Sequence, residues 1–167
     1  MAKYLVVVPH YTADSPLLME QIRAIVRQDP ESGFVCLTPA RVPSTLAHVA
    51  AGIPDDRWEA AAARARRTRT RLEAIGARVL ATRVGPWDPL EAIEAELCYG
   101  DYAAVLISTL PHPVSHRLHR DLPARLASRH PEVTVVHVVV PANFYRQSPQ
   151  QARRAESEAL RRERVPS

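Results

Sequence analysis

The stretch Ser115-His116-Arg117, followed by His119 and Arg120, gathers a hydroxyl, two imidazoles and two guanidinium groups within six residues. At the start of a helix, unsatisfied N–H groups and partial positive charge already favour an anion, and these side chains would add donors and charge for a phosphate or carboxylate. A plainer reading fits the same residues: Ser115 as an N-cap, and Arg117 and Arg120 as solvated surface groups. His116 and His119 could approach one metal ion, but no carboxylate or cysteine is evidently placed to complete the site. His10 and Ser115 could be cast as base and nucleophile, yet no G-x-S-x-G elbow is present. The expectation is therefore a noncatalytic chain with no metal and no tightly held cofactor.

These residues depend on the elements around them. Residues 4–8, Tyr-Leu-Val-Val-Val, form a continuous apolar run, as a strand covered on both faces requires. Pro16 suits a first helical position, and Leu18, Ile22, Ile25 and Val26 recur at helical spacing up to the stop at Asp29-Pro30. Residues 34–38 read as a second strand, and 39–55 as a long loop of the kind that often carries function. A second helix is expected from Asp55-Asp56, with Trp58, Ala61, Ala62, Ala65, Leu72 and Ile75 inward and Arg64, Arg66, Arg67, Arg69 and Arg71 outward. Gly76 then ends it and residues 78–84 form a third strand.

Asp88-Pro89-Leu90-Glu91 is a helix start with an N-cap carboxylate, proline at the first position and glutamate three residues after the cap. That helix is expected to end at Gly100, before a fourth strand over 102–107 and a loop over 108–114. The fourth helix runs from Ser115 through Leu118, Leu122 and Leu126, kinked or restarted at Pro123. Residues 133–140, nearly all valine, form the fifth strand, and His137 is expected as a packed histidine within it. From Pro141 the character changes, so residues 1–141 read as one domain and 142–167 as a charged helix or arm.

Strands alternating with helices imply right-handed crossovers and a parallel, doubly wound α/β sheet of flavodoxin-like or Rossmann-like type. With strand order 3-2-1-4-5, ligands belong where the order reverses, between the carboxyl ends of strands one and four. That brings Pro9, His10, Tyr11 and Thr12 beside residues 108–117.

Composition bounds the rest. A chain of 167 residues, 46% hydrophobic and 24% charged, suits one globular domain. No apolar run approaches the roughly 20 residues of a membrane span, and no signal peptide is visible, so a soluble, cytoplasmic protein is expected. Cys36 and Cys98 lack metal-like or C-x-x-C spacing and read as small apolar fillers. The net charge of +4 is modest and only 5% of residues are aromatic, so nucleic acid is an unlikely partner, the helical arginines reading as a solvated face.

The order of these elements, the long loop after the second strand and the loop between the fourth strand and its helix resemble the universal stress protein family over residues 3–140. The resemblance implies a cytoplasmic, homodimeric or regulatory protein. In the family's ATP-binding branch a G-x2-G-x9-G-[ST] loop cradles the phosphates. This chain reads Ser108-Thr109-Leu110-Pro111-His112-Pro113-Val114-Ser115 there, with no glycine and two prolines that lack N–H donors. Ser115 alone matches the closing position, and Pro9-His10 stands where many members place an aspartate.

The ligand-contacting set is thus Pro9, His10, Thr12, Val35 on the second strand, Ser108, Thr109, Ser115, His116 and Arg117. The expected ligand is small and anionic, with ATP, AMP or phosphate bound weakly at most, and a protein partner is the other expectation for the crevice. A nucleotide-dependent enzyme of the same fold and a basic nucleic-acid-binding protein are the alternatives. The long, β-branched fifth strand is expected at a sheet edge, where it can pair with a second copy to form a homodimer.

Overall fold

The computed structural model describes residues 1–9, 12–40, 57–109 and 122–141. Five strands, β1 Lys3–Val7, β2 Gly33–Pro39, β3 Arg78–Gly85, β4 Ala104–Thr109 and β5 Val135–Val139, form one parallel sheet in the order β3-β2-β1-β4-β5. Helices α1 Pro16–Gln28, α2 Arg57–Ala74, α3 Pro89–Leu97 and α4 Leu122–Arg129 connect them, and a single 3-10 turn, Thr12–Asp14, precedes α1. The expected doubly wound α/β fold and strand order are both present.

Alternation along each strand divides the core into two layers. Val6, Phe34, Cys36, Leu106 and Val138 point to the face covered by Leu18 and Ile22 of α1 and Leu72 of α2. Leu5, Val7, Val35, Leu37, Val105 and Ile107 point to the other, under Leu90 and Ile93 of α3 and Leu122 and Leu126 of α4. Each such leucine or isoleucine contributes about 1.5–3 kcal/mol through removal from water. Both faces of β1, β2 and β4 are therefore apolar, which is why their sequences do not alternate with polar residues.

Local chemistry sets the ends of the elements. The Ser15 hydroxyl accepts from Leu18 N at the start of α1, and Pro16 follows as the first helical residue. The Asp88 carboxylate accepts from Leu90 N at 2.9 Å at the start of α3. Gly76 takes the left-handed conformation, φ 85°, after α2. Gly85 lets β3 approach α3, since a Cβ there would lie 2.6 Å from that of Ala92.

Four expectations shift. The fourth strand begins at Ala104 rather than Tyr102, because pairing starts at Tyr4↔Ala104 while Ala103 N donates to the Lys3 carbonyl; Ser108 and Thr109 become strand residues by pairing with Val138 and Val139 of β5. The fifth strand is shorter than its valine run because β4 offers partners only from Val105 to Thr109. The third helix stops at Leu97, and Cys98, expected to be a buried filler, is its exposed C-cap. On α2 the buried stripe is Ala61, Arg64, Ala65, Thr68 and Leu72, so Arg64 is inside, whereas Trp58 is 51% exposed. Arg64 donates to the carbonyl of Pro39, the last residue of β2.

The fourth helix is present from Leu122, with Pro123 in its first turn where the sequence allowed a restart. Its expected beginning at Ser115, the 39–55 loop beyond Ala40, and the 142–167 segment lie outside the described residues. No helix among the described residues is long and apolar enough to cross a membrane.

Candidate functional site at the carboxyl ends of the central strands

The sheet order reverses beside β1, between its carboxyl end and that of β4. Val7 is in register with both Leu37 and Ile107, and Val8 N donates to the Leu37 carbonyl at 3.0 Å. The next level across the sheet is therefore Thr38, Val8 and Ser108, and all three side chains share the face covered by α1 and α2. Val8 packs in that core layer. Thr38 and Ser108, both fully buried, each carry a hydroxyl with no hydrogen-bond partner among the described residues. A buried orphan hydroxyl costs about 1–3 kcal/mol, so two at one level of one edge mark a place where packing alone does not explain the residue types.

The turn after β1 closes over this level. Thr12 is fully buried and its hydroxyl lies 3.4 Å from the Ser108 carbonyl, to which it donates, joining the β1 end directly to the β4 end. Asp14 accepts from Arg67 at 2.5 Å and from Arg71 at 2.7 Å, fixing the same turn to α2. Pro9 is buried at the beginning of this connection.

On the opposite face of the same edge, the Thr109 hydroxyl lies 2.7 Å from His137 Nε2. His137 is exposed rather than packed, because β5 is the last strand of the sheet and Val139 on the same side is open as well. Partial burial nevertheless holds its pKa below the ordinary histidine value.

Of the expected site residues, Pro9, Thr12, Ser108 and Thr109 meet at this edge. Val35 does not: it lies low in β2, 5% exposed, among Leu90 and Ile93 in the α3 layer. His10, Tyr11, Ser115, His116 and Arg117 lie outside the described residues. Thr38, Asp14, Arg64 and His137 were not in the expected set. Thr38 had a signal, a polar residue closing an otherwise apolar strand; the others depend on contacts 25 or more positions apart.

The described residues also line a cavity of about 310 Å³ between Glu94, Cys98, Tyr102, His130 and Glu132. It sits at the amino edge of β4 and β5, away from the switch point. Among the described residues no group of three His, Cys, Asp or Glu side chains could hold a metal ion.

No family model matches the sequence, and no curated protein matches it. Solved structures do. A universal stress protein from Archaeoglobus fulgidus superposes with a TM-score of 0.53 at 12% identity, over 84% of this chain and 93% of the other. One from Burkholderia pseudomallei gives 0.54 at 14%, over 82% and 95%. One from Arabidopsis thaliana, solved with AMP bound, gives 0.54 at 15%, over 90% and 99%. The chain has the universal stress protein fold. Nearly the whole of each neighbour is covered by this chain.

Proposed function

We propose that this protein is a noncatalytic regulatory module of the stress-response type, whose crevice beside β1 and β4 takes a small anionic ligand such as the phosphate of a nucleotide. The observation that carries the reading is the buried Ser108 hydroxyl, left without a partner among the described residues at the switch point of the sheet. The AMP-bound neighbour of the same fold supports a nucleotide as the probe to try first. The phosphate cradle is altered in this chain, since its loop has prolines in place of glycines, so binding is expected to be weak and to rest on side-chain donors. A reducing, cytoplasmic setting and a homodimer paired along β5 belong to the same reading; the two free thiols support the first and the open β5 edge the second.

The test is thermal unfolding with ATP, AMP, cyclic AMP and inorganic phosphate in turn. An upward shift with a nucleotide that is absent in Ser108→Ala supports the reading. Unchanged melting with all four would sink the ligand and leave a partner-binding scaffold.

A further inference from the structure

His137 belongs to a strand that the expected ligand set did not include, yet its ring reaches across to Thr109 on β4 at the candidate edge. Thr109 is 4% exposed and its hydroxyl lies 2.7 Å from Nε2. Either group can donate at this separation, the direction resting on the imidazole tautomer. With the neutral imidazole's proton on Nδ1, the tautomer on which the proposal depends, the Thr109 proton is spent on Nε2. Protonation reverses the bond, because a charged imidazole has only donors. Nε2–H then points at Thr109 Oγ1, and the threonine proton is released to point elsewhere.

We propose that His137 is a specificity-determining residue of the crevice, which by reversing its hydrogen bond to Thr109 turns that hydroxyl into a donor for an anion and makes anion binding tighten on acidification. This rests on the anion-binding reading of the crevice. Among the described residues the groups around His137 are few. β4 carries no titratable side chain between Ala104 and Thr109, and Val135 and Val139 flank His137 on its own face of β5. Of the helices packed on β5, α4 carries Arg125 and Arg129, the latter held 2.8 Å from Glu94, and α1 carries Glu20, Arg23 and Arg27, with both arginines paired to Glu20 on the opposite layer. Among the described residues, burial sets the direction in which His137 titrates.

The experiment has two arms on the full chain. Imidazole nitrogen NMR at about pH 7.5 is expected to show His137 as the Nδ1–H tautomer, and Thr109→Val to remove that preference. An Nε2–H tautomer in the parent protein overturns the proposal whatever binds. Calorimetric titration with AMP and with inorganic sulfate, which keeps its charge over this range, is then compared between about pH 7.5 and about pH 5. Affinity for sulfate is expected to rise about tenfold more in the parent protein than in His137→Gln or Thr109→Val, the worth of one added hydrogen bond to a charged group. An equal change with pH in the parent protein and both variants contradicts the role of His137 while leaving the crevice intact. Absence of binding at either pH overturns both.

Discussion

Ser108 and Thr38 close their strands with hydroxyls that a purely packed edge would not keep. If the Ser108 hydroxyl serves a ligand rather than the fold, Ser108→Ala should leave the melting temperature of the free protein unchanged or slightly higher while abolishing the shift produced by AMP. Thr38→Val tests the same logic through the fold alone: removing an orphan hydroxyl at nearly constant shape should raise stability by about 1 kcal/mol in urea unfolding. Cys36 is a third residue-scale case. Burial pushes its thiol up to about 12, so only Cys98 should react with a thiol reagent in the native protein, one group per chain, and two after denaturation. The sign for stability follows from the same shift. Above the ordinary thiol value the unfolded chain releases a proton that the folded chain retains, so Cys36 should make the protein less stable as pH rises beyond about 9.

At the scale of elements, capping and close approach make distinct demands. Asp88→Ala removes the acceptor for Leu90 N and should cost about 1 kcal/mol. Gly85→Ala should cost about 1–3 kcal/mol, since the new methyl meets Ala92 across the β3–α3 contact. Urea unfolding of the two variants checks both figures. Most of these elements were legible because their signals are local: the apolar run of β1, the Ser15-Pro16 and Asp88-Pro89 starts, and the stop at Gly76 all act within a few residues. What the sequence hid is what depends on pairing. The register of β1 started β4 at Ala104, and pairing with Val138 and Val139 of β5 turned Ser108 and Thr109 from loop into strand. On α2, residue type suggested an inward Trp58 and an outward Arg64, but Arg64 turns inward to the Pro39 carbonyl at the end of β2, a partner 25 positions away. His137 looked packed among valines because its strand is apolar, although the expected strand order already put that strand at an edge; its contact with Thr109, 28 positions away, had no local signal.

For the whole molecule, the two-layer core and the covered central strands follow from alternating strand and helix signals, and the site follows from the strand order they imply. The sheet ends on β5, whose outer edge has no partner strand among the described residues. Paired with a second copy, it should give a mass twice that of the chain by light scattering at micromolar concentration, and Val139→Lys, a charge placed on an open edge position, should shift the protein towards monomer without unfolding it. A monomeric parent protein would remove the dimer from the account but not the crevice. The claim on which the rest depends is that the β1–β4 edge holds an anion. Its most direct measurement is calorimetric titration of the full chain with AMP, beside Ser108→Ala. The account predicts weak, saturable binding to the parent protein and none to the variant; no heat of binding to the parent protein, or equal binding to both, would contradict it.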